Sequence, residues 1–390
     1  MERRRFLQLG SAALMGALGS TRSAYAAAPT DNRLVFVFLR GALDGLHALA
    51  PYADPAYREL RPQLALERDQ VNDLNGYFGL HTGLGALMPL WQSGELSFLP
   101  ATSTRYRSRS HFDAQNLLEN GSTTPYGMRD GWLNRAILAL NDNDRRLGLS
   151  IGPAVPLILQ GQASVQSWSD SSLPEADEDF LLRVGRMYQQ DPVFADAFHD
   201  AQGALQPDID MNAMGGRNNS ARDFAISAQV AADLLAHPQG PRVAVMEMTG
   251  WDTHFNQEAR LNGLFQQLAE GIILLRDGLA RDWSRTAVVV VSEFGRTAAE
   301  NGSRGTDHGT GGLVMLAGGA VRGRQIGGDW PGLAQAALFE GRDVMPANPM
   351  EGLFKTLLIA HLGLPASVVE STVFPASTPL RPLEGLIVGV

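Results

Sequence analysis

Four short segments of this sequence concentrate carboxylates and imidazoles: Asp44; Asp252-Thr253-His254; Glu293 with Arg296; and Asp307-His308. The chain has no cysteine, so thiolate metal sites and disulfides are excluded. Carboxylate oxygens and imidazole nitrogens together suit a hard or borderline divalent cation such as Zn²⁺, Mn²⁺, Mg²⁺ or Ca²⁺. Taken singly, an aspartate after a strand is a turn former or helix cap, and a lone histidine is a hydrogen-bonded structural residue. All four segments border strands, which makes a metal site the expectation. Asp44, Asp252, His254, Glu293, Asp307 and His308 should then converge around one cation-sized space, with Asp307 either ligating or orienting His308 from behind.

A second constellation runs Tyr106-Arg107-Ser108-Arg109-Ser110-His111-Phe112-Asp113-Ala114-Gln115. Ser110 reads as the N-cap of a helix ending near Asn120-Gly121, with Asp113 as its N3 acid, a relative of the capping box. A hydroxyl in that place also sits where free N–H groups and the helix dipole stabilise an anion. Arg107 and Arg109 add forked donors suited to phosphate or sulfate, and an adjacent metal ion can activate a hydroxyl nucleophile. Ser110, or alternatively Ser108, is therefore the candidate nucleophile, with Arg109, His111 and Arg296 as further catalytic candidates.

The elements that must position these residues are legible as apolar runs. Leu34 to Leu39 is continuous and apolar, as a strand buried on both faces should be. Val243 to Met248 runs into Thr249-Gly250-Trp251-Asp252-Thr253-His254, and Thr286 to Val291 runs into Ser292-Glu293-Phe294-Gly295-Arg296-Thr297. A fourth strand, Leu313 to Ala317, follows the glycine-rich loop Gly302 to Gly312, whose backbone should pass close to the site. Between the second and third strands, Leu261, Leu264, Phe265, Leu268, Ile272, Leu275 and Leu279 keep helical spacing, the mark of an amphipathic helix covering a sheet. Strands alternating with helices predict a mainly parallel sheet between helical layers, with functional loops beyond the strands' carboxyl ends. Residues 170–220, with the acidic run Glu175, Asp177, Glu178 and Asp179, read as a helical insertion in an otherwise single domain over 27–390. Trp132, Trp168, Trp251 and Trp330 read as core or rim packing, with Trp251 also placed to line a cleft.

The chain opens Met1-Glu2-Arg3-Arg4-Arg5-Phe6-Leu7, continues apolar to about Leu18 and reaches the small-residue site Ala24-Tyr25-Ala26. That order predicts a removable export signal of the twin-arginine type over 1–26, with the translocase as a transient partner and a periplasmic or secreted destination. Its apolar middle is shorter than the ~20 residues that span a bilayer. Removing it takes four arginines and one glutamate from 32 basic and 41 acidic residues, leaving (32 − 4) − (41 − 1) = −12. A surface that acidic, without a basic run, excludes nucleic acid as a partner, and no later apolar run predicts a stable membrane anchor. There is no Gly-x-Ser-x-Gly elbow and no phosphate-binding glycine loop, which sets aside α/β-hydrolase esterases and nucleotide enzymes.

With these motifs in order, the chain resembles the bacterial family called domain of unknown function 1501, grouped with the alkaline phosphatase and sulfatase superfamily. The resemblance covers residues 33–375. It rests on Phe38-Leu39-Arg40-Gly41-Ala42-Leu43-Asp44-Gly45, on the Tyr106–Asp113 segment, on Gly131-Trp132-Leu133-Asn134-Arg135, on Gly250-Trp251-Asp252-Thr253-His254, on the Ser292–Thr297 segment and on Thr306-Asp307-His308-Gly309. It implies a three-layer α/β/α, alkaline-phosphatase-like fold and a metal-bound hydroxyl nucleophile attacking a phosphate or sulfate ester. It implies that Asp44 is the acid after the first strand, Ser110 the nucleophile, Asp252 and His254 the paired ligands, Glu293 the later acid and His308 the last histidine. Two departures stand out: only Thr253 separates Asp252 from His254, and Phe294 follows Glu293 where a ligand is usual, so one ion or an incomplete site is implied. The expected function is a metal-dependent hydrolase of small or polymeric anionic esters. The alternative is a non-catalytic exported binding or scaffold protein that retains the fold.

Overall fold

The computed structural model describes residues 30–140, 147–169, 187–188, 220–375 and 383–388. The export-signal segment and nearly all of the expected 170–220 insertion, including its acidic run, lie outside the described residues.

The molecule is organised around a nine-stranded sheet. Its strands are β1 (Arg33–Leu39), β2 (Leu96–Ser103), β3 (Gly148–Ile151), β4 (Val165–Trp168), β5 (Val243–Met248), β6 (Thr286–Val291), β7 (Gly312–Ala317), β8 (Gln325–Ile326) and β9 (Asn348–Pro349). Across the sheet the order is β8-β2-β7-β6-β1-β5-β3-β4, with β9 beside β2. β1 lies at the centre, parallel to β5 on one side and β6 on the other. All seven of its residues are buried, which is why its sequence shows no polar alternation.

The two faces of β1 feed two separate cores. Val35, Val37 and Leu39 meet α3 (Ser220–Ala236) and α4 (Gln257–Leu279), where Phe224, Leu261, Phe265, Leu268 and Ile272 are buried. Leu34, Phe36 and Phe38 meet α2 (Trp132–Leu140) and α5 (Met350–Thr356) through Trp132, Ile137 and Phe354. The architecture is thus three-layered α/β/α, as expected. The heptad-like spacing read from Leu261 onward falls inside α4, and its predicted residues face the sheet, with Leu264 at the margin.

One strand departs from a parallel reading. β7 runs antiparallel to both β6 and β2. Its first residue therefore stands at the edge where the other strands finish, and the loop that precedes it joins the loops that follow β1, β5 and β6. That inversion brings Asp307 and His308 to the same edge as Asp252 and Glu293. Trp251 belongs to the core, fully buried against Phe265, and lines no cleft.

Candidate metal centre

The site is assembled where four loops touch. Gly41, directly after β1, has φ +117°, and a Cβ there would stand 2.6 Å from the backbone nitrogen of Asp252. Only glycine allows the β1 and β5 loops to abut this closely. Gly305 plays the same part for the loop before β7, where a Cβ would lie 2.3 Å from the His254 carbonyl. Arg296, 2% exposed, binds the loops together. Its guanidinium donates to the carbonyls of Ala42 (2.8 Å), Gly41 (2.6 Å), Trp251 (3.2 Å) and Thr306 (3.1 Å), and to Asp252 Oδ1 at 2.5 Å.

Three imidazoles converge on this edge. His308 Nε2 lies 2.9 Å from His111 Nε2 and 3.0 Å from His254 Nε2. Asp252 Oδ1 is 3.0 Å from His254 Nε2 and 3.3 Å from His308 Nε2, and its Oδ2 is 3.7 Å from His111 Nε2. The opposite nitrogen of each ring identifies its tautomer. His111 Nδ1 faces Glu293 Oε1 at 2.7 Å. His254 Nδ1 faces Asp307 Oδ1 at 3.1 Å. His308 Nδ1 faces the Arg109 carbonyl at 3.1 Å. A carbonyl and an ionised carboxylate accept but cannot donate, so each Nδ1 carries the hydrogen.

Burial would raise the Glu293 carboxyl, but hydrogen bonds from His111 and Gln115 outweigh it and hold it below the usual carboxylate range. Asp307 is likewise held low against burial by Asn301 and His254. Both acceptors are therefore anions at neutral pH. With the hydrogens on Nδ1, the Nε2 atoms of the three rings face one another beside the Asp252 carboxylate.

Lone pairs at 2.9–3.0 Å repel unless a positive charge lies among them. A proton fits poorly at the middle ring: burial, and then the neighbouring His111 and Arg296, push His308 below the normal histidine value. A metal ion fits well. Metal-bound histidines characteristically donate their other N–H to a carboxylate or backbone carbonyl, and all three do so here. Nitrogens about 2.0–2.1 Å from one tetrahedral ion are ~3.4 Å apart, so the 2.9 and 3.0 Å separations need open by only a few tenths of an ångström to admit one. Among the described residues, His111, Asp252 and His308 form a set whose ligand atoms all lie within 4.8 Å of one another. His254 adjoins that set through both His308 and Asp252. Burial would raise the Asp252 carboxyl, but Arg296 overrides it and keeps Asp252 ionised.

The expected residues thus separate into three groups. Asp252, His254 and His308 are brought together, and His111, read from sequence as a catalytic neighbour, joins them. Glu293 and Asp307 stand behind imidazoles: Glu293 Oε1 accepts from His111, Gln115 Nε2 (2.9 Å) and Gly41 N (3.0 Å), which leaves it orienting His111. Asp307 orients His254 rather than His308.

Asp44 is placed elsewhere. At 1% exposure its two oxygens take Arg61 at 2.7 and 3.1 Å, Gln257 Nε2 at 2.6 Å and the Leu46 amide at 3.1 Å, so it is a helix-turn cap in a buried ion pair. Arg296 is sealed under the loops and cannot reach a substrate, while Arg109 is tied through Nε and Nη2 to Asp343 and Glu340 at 2.8 and 2.6 Å. Arg109 acts through its carbonyl, at a left-handed φ of 60°, which fixes His308.

Ser110 precedes α1 (His111–Asn120) as its N-cap but makes no capping hydrogen bond; its side chain meets the Tyr106 hydroxyl instead. The capping box expected with Asp113 does not form, because Asp113 accepts from Tyr106. Two partners of the expected acids escaped the sequence reading: Arg61, buried against Asp44, and Gln115, whose i+4 spacing from His111 marked it as facing the same acid.

The family model described as "Protein of unknown function (DUF1501)" matches residues 100–372. No curated protein matches the sequence. Among solved structures, a putative sulfatase from Bacteroides thetaiotaomicron is similar at 8% identity, over 90% of this chain and 76% of its own, with a TM-score of 0.42. The C-terminal periplasmic domain of EcEptC from Escherichia coli, in complex with Zn, is similar at 9% identity, over 75% and 74%, with a TM-score of 0.36. TAB5 alkaline phosphatase with Mg bound is similar at 10% identity, over 73% and 90%, with a TM-score of 0.36.

Proposed function

The chain belongs to the family of proteins of unknown function DUF1501, and we propose that it is an exported metal-dependent hydrolase of phosphate or sulfate esters. The observation that carries the proposal is the convergence of the Nε2 atoms of His111, His254 and His308 beside Asp252, each ring pinned by its own acceptor. His111, Asp252 and His308 would hold the ion, with His254 as a further ligand. An imidazole-rich donor set favours zinc over magnesium or calcium. Such an ion supplies Lewis-acid polarisation of an ester oxygen and stabilises developing negative charge.

The chain's own groups do the positioning. Glu293, Asp307 and the Arg109 carbonyl fix the three tautomers, and Arg296 holds Asp252 ionised and in place. Ser110 is the proposed nucleophile: its hydroxyl is not used in capping, and it adjoins His111. Attack by Ser110 Oγ on phosphorus or sulfur would form a seryl ester as the substrate alcohol leaves with the bonding electrons, and water would then release the anion. Export through the twin-arginine pathway is part of the same proposal. Among the described residues no helix is long and apolar enough to cross a membrane. Replacing Arg3 and Arg4 by lysine should leave the chain in the cytoplasm on cell fractionation.

The deciding measurement is elemental analysis of the protein purified without chelator or affinity metal, followed by a panel of phosphate monoesters, diesters and sulfate esters. About one zinc per chain and turnover of one ester class are expected. A chain that takes up no divalent ion would end the reading. A chain that binds zinc tightly and turns over none of the panel would instead favour the scaffold alternative.

A further inference from the structure

A feature that the histidine cluster does not explain lies toward the C-terminal end of α1. A cavity of about 320 Å³ is lined by Arg105, Arg107, Leu117, Glu351, Phe354 and Phe374, among others, and shares no residue with the histidine cluster. Its volume falls in the range of small-molecule sites, about 300–1,000 Å³. Leu117 is six positions beyond His111, about 9 Å along the helix axis.

Charge is unevenly matched in this cavity. Arg105 pairs with Glu351 at 3.3 Å. Arg107 is half-buried, and among the described residues its hydrogen bonds go through Nη1 to the backbone carbonyls of Thr104 and Tyr106. That leaves Nε–H and both Nη2–H donors without a protein acceptor among the described residues. Burial lowers its pKa, and among the described residues no carboxylate offsets this. Other sequestered arginines each have a carboxylate: Arg61 has Asp44, Arg296 has Asp252 and Arg135 has Asp130. Arg107 stands apart from them, in a cavity whose remaining wall is mostly aliphatic and aromatic.

We propose that this cavity binds an amphipathic organic anion, with its charged head on Arg107 and its apolar body against Leu117, Phe354 and Phe374. The site is separate from the metal centre and requires no assumption about hydrolysis. A free guanidinium fork suits a carboxylate, sulfonate or phosphate head, and the apolar wall selects against inorganic anions.

The probe is anilinonaphthalene sulfonate, titrated by fluorescence into the full folded chain, with decanoate and the neutral decanol as competitors. One saturable site per chain is expected, with decanoate displacing the dye at least about tenfold better than decanol. Arg107→Gln should weaken dye and decanoate by at least about tenfold, Arg107→Lys by less, and the exposed-surface control Arg281→Gln not at all. Stripping the metal with chelator should leave binding unchanged, which separates this site from the histidine cluster. Non-saturable binding, wild-type affinity in Arg107→Gln, or loss of the dye on chelation would each overturn the proposal. If Arg107→Gln does not fold, the decanoate–decanol contrast on the wild type and the Arg107→Lys affinity decide it, and equal displacement by the two competitors counts against it.

Discussion

The same chemical change at two buried acids should give opposite readouts. Glu293 and Asp44 are 0% and 1% exposed, both are held ionised, and both follow central strands. Glu293→Gln keeps shape but removes the charge that His111 Nδ1, Gln115 and the Gly41 amide all address. Loss of the group behind a metal-bound histidine lowers metal affinity by about 10–100-fold, or ~1.4–2.7 kcal/mol. Asp44→Asn removes the charge opposite Arg61, whose side chain is 0% exposed. Breaking a buried pair from one side costs about 3–5 kcal/mol because the remaining charge is uncompensated. A native stability of ~5–15 kcal/mol absorbs most of that loss. Zinc competition against a chromophoric chelator should therefore show weakened binding in Glu293→Gln and wild-type affinity in Asp44→Asn. Urea unfolding of the metal-free proteins should show the larger loss in Asp44→Asn. Asp44→Asn with wild-type stability and zinc affinity as poor as Glu293→Gln would refute the reasoning and return Asp44 to the ligands.

Further predictions follow from the same geometry. His308→Ala removes the ring that touches both neighbours and should abolish stoichiometric zinc in elemental analysis, whereas His254→Ala should retain the ion at reduced affinity. Ser110→Ala should keep its zinc and its melting temperature while losing several orders of magnitude in turnover of whichever ester is cleaved, and Ser108→Ala should lose far less; turnover within a few-fold of wild type in Ser110→Ala would remove the nucleophile. Acid sensitivity should come from His47 and His81, whose rings lie 5.0 Å apart under α4 and which burial pushes down to about 3 and about 4. Their folded values are depressed, so the unfolded chain takes up the protons first; the stability they contribute is complete above pH 6.5 and declines as pH falls toward 4, by up to ~1.4 kcal/mol per pH unit for each ring. Urea unfolding of metal-free His47→Phe should show a shallower slope than the wild type near pH 5, by up to ~1.4 kcal/mol per pH unit.

The strands were legible because a strand buried on both faces must be a continuous apolar run, and β1, β5 and β6 begin and end within a residue of those runs. The direction of β7 was not, since Leu313 to Ala317 is apolar whichever way it points, and direction is set by how the chain arrives. The histidines and Asp252 were legible as a group because loops at one sheet edge must share space. Their roles were not. Arg61 lies 17 residues from Asp44, and nothing in that spacing says an arginine will be drawn into the interior to neutralise it. The sharper ambiguity is chemical. A ligand carboxylate and an orienting carboxylate both stand about 3 Å from an imidazole, so the pairing of acid and histidine in sequence cannot distinguish them. What separates Asp252 from Glu293 and Asp307 is which ring nitrogen each one faces: Nε2 in the first case, Nδ1 in the other two. Moving the hydrogen of any of the three rings from Nδ1 to Nε2 would exchange lone pair for donor at the centre, so the three acceptors behind the rings determine whether this edge can hold a cation at all.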